Sequence, residues 1–159
     1  MRRAAAALLL PAALAALAGC GGPVEIEVPD LSAADRATCA AFAEDLPDTL
    51  AEQQRVEVEP SDAPAAAYGD PAIVVRCGVP APKGFSLASS CETANGVGFF
   101  VPDEQTRDQD ADLTITAAGY RPRVEITVPA RYRPSGGAAA MSVLAPLVQR
   151  HLTLVEACD

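Results

Sequence analysis

Tryptophan is absent from this 159-residue chain, and histidine and lysine occur once each, as His151 and Lys83. With a formal net charge of −9, no cluster of positive charge is left to follow a phosphate backbone or an anionic lipid patch. That argues against a nucleic-acid partner. No Cys-x-x-Cys pair occurs and His151 has no cysteine at ligand spacing, which argues against zinc and against a redox dithiol. Gly-x-Ser-x-Gly, phosphate-loop, dinucleotide and metalloprotease motifs are missing. A Ser-His-Asp or Cys-His mechanism would have to use His151, near the C-terminal end of a helical pattern, where the helix dipole favours a surface histidine. The expectation is therefore no enzyme, no cofactor and no metal. No apolar run reaches the roughly 20 residues that a membrane span needs, and no internal repeat is visible.

What is present begins at the N-terminus. Arg2 and Arg3, an apolar stretch from Ala4 to Ala18, and Leu17-Ala18-Gly19-Cys20 have the layout of a secretory signal ending in a lipoprotein cleavage box. Pro11 interrupts the stretch and Gly21-Gly22-Pro23 closes it, against a transmembrane helix; the cysteine directly after Leu-Ala-Gly is against plain secretion. Residues 1–19 are thus read as a removed signal peptide and Cys20 as the lipidation site. A diacylglyceryl thioether on Cys20 would supply the two chains that stable anchoring requires, at about 0.8 kcal/mol per buried methylene. The predicted location is the extracytoplasmic face of the cell membrane. Residues 20–31 are read as a tether and 32–159 as one domain, a length that fits a single core.

Assigning Cys20 to lipid leaves Cys39, Cys77, Cys91 and Cys158, an even number in an oxidising compartment, hence two disulfides. Three pairings are open. The preferred one joins Cys39 with Cys77, tying the first helix to a central strand, and Cys91 with Cys158, tying a hairpin to the chain end.

Val24 to Val28 alternates with charge, as an edge strand would, but its place beside the anchor favours a tether. Ser32-x-x-Asp35 opens a helix like a capping box, with Cys39, Phe42 and Leu46 on one face and Pro47 as its stop. Arg55 to Glu59 reads as a half-wet strand, Ser61 to Ala67 as a loop, and Tyr68-Gly69-Asp70-Pro71 as a turn. The turn leads into Ala72 to Cys77, the best candidate for a buried central strand. Gly78 to Ser90 reads as a surface excursion. Asn95-Gly96 predicts a type I′ hairpin between Cys91–Ala94 and Val97–Val101. Leu113–Thr116 and Val124–Val128 predict a second hairpin around Gly119. After the hinge Ser135-Gly136-Gly137 comes a final helix with Met141, Leu144, Val148, Leu152 and Val155 in one stripe, bent or begun at Pro146. The expected fold is α+β: a mainly antiparallel sheet of five or six short strands with the N- and C-terminal helices on one face.

Asp108, Asp110 and Asp112 have the opening spacing of a calcium loop, but Leu113 stands where glycine is needed and Gly119 where glutamate is. A solvated loop is the reading that survives. Asp70 fits a turn acceptor, and Arg76, inside the apolar run, calls for a nearby acid such as Asp70.

The motifs Tyr68-Gly69-Asp70-Pro71, Val75-Arg76-Cys77-Gly78-Val79-Pro80 and Asn95-Gly96-Val97, with Leu46-Pro47, Val128-Pro129 and Tyr132-x-Pro134, resemble a family over residues 36 to 155. It is the actinobacterial set of predicted lipoproteins catalogued as domain of unknown function 3515. Its members tend to carry tryptophan at the position of Tyr68 and near Phe99, where this chain has smaller aromatics. The resemblance implies location and fold, and brings no activity. The expected function is a non-enzymatic envelope lipoprotein that binds an envelope protein or a cell-wall component, the alternative being a small-ligand accessory module for transport or sensing. Tyr68, Asp70, Phe99 and Phe100 are the candidate binding residues.

Overall fold

The computed structural model describes residues 22–86, 88–133 and 135–158. The predicted signal peptide and the predicted lipidation site Cys20 lie outside the described residues. Among the described residues, no helix is long and apolar enough to cross a membrane.

In chain order the elements are β1 (Val24–Glu25), α1 (Ala33–Glu44), β2 (Thr49–Leu50), β3 (Gln53–Val56), β4 (Val58–Glu59), β5 (Ala65–Tyr68), β6 (Ile73–Val79), β7 (Glu92–Ala94) and β8 (Val97–Phe99). Then come α2 (Asp103–Arg107), β9 (Leu113–Thr116), β10 (Tyr120–Arg121), β11 (Arg123–Val128), a 3-10 turn (Ala130–Tyr132), α3 (Ser135–His151) and β12 (Thr153–Leu154). A six-stranded antiparallel sheet runs β2-β3-β5-β6-β11-β9, and Phe100 bridges to Thr116 on the outer side of β9, so the β7–β8 hairpin continues the curl. This is the expected α+β domain.

The alternation of β6 explains its central place. Ile73, Val75, Cys77 and Val79 point to the helix-covered face and are buried, while Val74 and Arg76 lie on the other face. Val124, Ile126 and Val128 of β11 continue the same apolar layer, over which α1 contributes Cys39 and Phe42 and α3 contributes Ala140, Leu144 and Val148. Ser32 caps α1: its Oγ accepts from the Asp35 amide at 3.1 Å and donates to the Asp35 carboxylate at 2.9 Å. Both disulfides are the preferred pairs, Cys39–Cys77 and Cys91–Cys158.

Several expectations change. Residues 22–31 lie on the domain, with β1 pairing parallel to β4. Ile26 is 8% exposed against Ala63 and Ala65 on the second face of the sheet. Leu31 lies over Gly78, where a Cβ would approach Leu31 Cδ2 to 2.6 Å. The single strand over Arg55–Glu59 is split at Glu57 into β3 and β4, which have different partners. Ser61–Ala67 is not a loop throughout: β5 runs through its last three residues, all buried. Alanine carries little strand propensity, and only tertiary burial between β3 and β6 makes these residues a strand. Val155 is 52% exposed, beyond the end of α3 and outside its buried stripe.

Helix α3 begins at Ser135 and continues through Pro146, so Pro146 does not mark its start. A proline there leaves the carbonyl four residues earlier, Ser142 O, without its helical donor. The Asn95 side chain supplies one, donating from Nδ2 at 2.9 Å, while Gln149 Nε2 donates to Asn95 O at 3.0 Å. The hairpin turn, with positive φ at Asn95 and Gly96, is thereby docked on the helix at its proline gap. Asn95→Gly keeps the turn geometry and removes the donor, so it should cost about 1 kcal/mol in urea unfolding. In a Pro146→Ala background, where the helix has its own N–H for Ser142, that cost should shrink; equal costs in both backgrounds would contradict this docking.

Candidate functional site

The four candidate residues do not converge. Tyr68 is fully buried at the end of β5 and its phenol donates to Pro47 O at 3.0 Å. Burial pushes its pKa up to about 12, the Asp48 charge adding to this and Arg55 opposing it. Phe99 is fully buried in the same core. Both are core residues rather than a binding surface, because each ends a strand on the face that the helices cover. Phe100 is 7% exposed, packs edge-on against Phe85 at 5.5 Å and borders an open cavity of about 480 Å³. Asp70 alone is exposed, and its backbone carbonyl accepts from Arg131 Nη1 at 3.0 Å. Arg76 pairs with its cross-strand neighbour Glu125, so the acid it needs is not Asp70.

The cavity at Phe100 is lined by Ser89 and Ser90, by Asp103 and Glu104 of α2, and by Lys83. Its lining is mixed in charge and mostly polar.

A second feature escaped the sequence reading. Arg121 Nη1 donates at 2.8 Å to Ala118 O and to Tyr120 O, and Arg123 Nε donates to the same Ala118 O at 3.1 Å. Two half-buried guanidiniums thus share one carbonyl, with Glu156 3.8 Å from Arg121 and no ion-pair partner for Arg123 among the described residues. Burial, and then the Arg121 charge, hold the Arg123 pKa below the ordinary arginine range. The one signal in the chain was Arg-Pro-Arg in an acidic sequence. The pair is a cationic corner able to accept a carboxylate or phosphate group.

His151 and the Asp108–Asp112 loop are engaged within the domain. Asp45, at the end of α1, takes His151 Nε2 at 2.8 Å and Arg150 Nη1 at 3.1 Å on one oxygen. The His151 side chain is 16% exposed, standing edge-on to Phe42, which makes it more enclosed than a surface histidine. In the Asp108–Asp112 loop, Arg133 Nη1 donates to Asp108 O and Ala111 O, both at 2.7 Å, and Nη2 donates to Gln105 O at 2.8 Å. Asp112 Oδ1 accepts the Ala130 amide and Asp108 Oδ1 the Asp110 amide. The carbonyls are gathered by an arginine of the chain itself.

Two titrations follow. Tyr68 has a folded pKa above its unfolded value near 10, so its contribution to stability is complete below about pH 10 and is lost as pH rises toward 12. One of three tyrosines should therefore ionise late in an absorbance titration, and Tyr68→Phe should abolish that late step and cost about 1 kcal/mol. Asp45 is held below the usual carboxylate range by the His151 and then the Arg150 hydrogen bonds. Its contribution is present above about pH 4 and lost as pH falls through the lower folded value. Asp45→Asn should flatten the acid limb of a stability–pH curve and converge with the unaltered protein at the acid extreme; parallel curves would contradict the assignment.

No curated protein and no solved structure matches this chain. A family model described as "Protein of unknown function (DUF3515)" matches residues 4–157. Nearly the whole sequence is covered, and the chain belongs to that family.

Proposed function

We propose that this chain is an extracytoplasmic lipoprotein, anchored to the cell membrane through Cys20, whose disulfide-braced domain serves as a non-enzymatic binding or scaffold module in the cell envelope. The observation that carries the location is the pairing of all four remaining cysteines, since disulfides persist in oxidising compartments and are rare in a reducing cytosol. The signal-like N-terminus ending in Leu17-Ala18-Gly19-Cys20 supports it independently. The binding role draws on the Arg121–Arg123 corner, where two guanidiniums face the single carboxylate of Glu156 and leave a net positive charge that suits an anionic group of an envelope protein or cell-wall polymer. His151, the cysteines and the Tyr68 phenol all have structural partners, which favours binding over catalysis.

A small-ligand accessory role is the second reading, favoured by the cavity beside Phe100, whose size falls within the roughly 300–1,000 Å³ of ligand sites. In that case a ligand should raise the melting temperature of the native protein and not of the Lys83→Gln variant.

Cys20→Ser decides the anchor. The variant should move from the membrane to the soluble fraction, and mass spectrometry of the native N-terminal peptide should show a diacylglyceryl group on Cys20. Membrane retention of the variant would overturn the reading.

A further inference from the structure

The short stretch between the anchor and the first fixed residue limits how the domain can stand on a bilayer. The amide of Val24 donates to Glu57 O at 2.9 Å and that of Ile26 to Glu59 O at 2.8 Å, and Ile26 is buried. The chain is therefore held from Val24 onward. Cys20 lies four residues earlier, and four residues reach at most about 14 Å whatever their conformation.

The place where the chain becomes held is one end of the sheet. Gly22, Pro23 and Val24 border a surface depression together with Glu57, Gly69 and Asp70, the last two forming the β5–β6 turn. The seven residues of β6 then run away from that end for about 20 Å. Val79, at its far end, is in register with Arg123 of β11. There too lie Gly119 and β12, whose Thr153 pairs with Arg121. The β6 strand alone is longer than the stretch that leads to the anchor. A domain so attached cannot stand on its Arg121–Arg123 end, because that would lift Val24 farther from the lipid than the stretch to Cys20 can reach.

Resting on the reading of Cys20 as the lipidated residue, we infer that the sheet end carrying Gly22, Glu57 and the Gly69–Asp70 turn is apposed to the membrane, and that the Gly119–Arg123 corner is presented outward. The occupant of the proximal face is the bilayer itself. Charge does not set this orientation: Glu57 and Asp70 stand with Arg55 and Arg131 at that end, and the chain is acidic overall. Covalent reach sets it. Asp70, a candidate binding residue, thereby faces lipid, and soluble partners meet the cationic corner.

The test uses the lipidated full-length protein in phosphatidylcholine/phosphatidylglycerol vesicles containing a headgroup-nitroxide lipid, with a fluorophore on a single introduced cysteine. Asp70→Cys and Thr153→Cys place the label at exposed positions on the two ends. Most of the fluorescence should be lost at position 70 and little at position 153. Inserting about 20 Gly/Ser residues after Gly21 gives a coil of about 25 Å and should erase the contrast. Equal quenching without the insertion, stronger quenching at 153, or a contrast that survives the insertion would overturn the orientation. Failure of the protein to float with the vesicles would overturn the anchor reading itself, and flotation is scored before quenching is read.

Discussion

The Cys39–Cys77 bridge is the constraint on which the rest of the arrangement depends. It joins the middle of α1 to the middle of the central strand β6, with both cysteines buried and their Cα atoms 5.4 Å apart. Closing a loop of 38 residues removes about 4 kcal/mol of unfolded-chain entropy in the simplest model, comparable to the whole stability margin of a small domain. Once α1 is fixed across the sheet, its last turn places Asp45 against Arg150 and His151, which positions the end of α3. The second bridge closes the other side. Cys158 lies over Gly98 of β8, where a side chain would collide with the Cys158 carbonyl, and links that hairpin to the segment after α3.

Arginine does a second kind of work. Outside the cysteines, loop carbonyls are gathered by guanidiniums: Arg133 takes three, Arg121 takes two, and Arg55, Arg123 and Arg131 take one each. A planar fork with five donors can hold several carbonyls at once, and a single ammonium on a flexible stem cannot do so with the same geometry. The excess of arginine over lysine, which as composition says nothing about mechanism, thus has a structural use here. Arg133 also braces the Asp108–Asp112 loop. Its carbonyls turn toward Arg133, and two of its carboxylates accept backbone amides.

Local signals with a strict geometric requirement were legible. The Ser32 cap, the Asn95-Gly96 turn and the alternation along β6 and β11 each depend on neighbours within a few residues, so the chain states them directly. Elements that exist only through distant partners were not. The Ala65–Tyr68 strand has no β-branched residue and becomes a strand because β3 and β6 flank it. Gly119 looked like a simple turn residue, yet its missing side chain makes room for the Glu156 carbonyl of the chain end. Of the candidate binding residues, Tyr68 and Phe99 turn out to lie in the core, a point the sequence leaves open because strand-end aromatics look the same in it whether a helix covers them or not.

The sequence by itself determined the number of paired cysteines, the α+β class, the central strand and a membership that covers nearly the whole chain. These follow from composition and short-range pattern. Only the tertiary structure decided that Tyr68 and Phe99 are core and that two arginines meet on the Ala118 carbonyl. It alone laid residues 22–31 along the domain instead of leaving a tether. Each of those outcomes depends on residues far apart in the chain being brought within a few ångströms, a distance that no local pattern encodes.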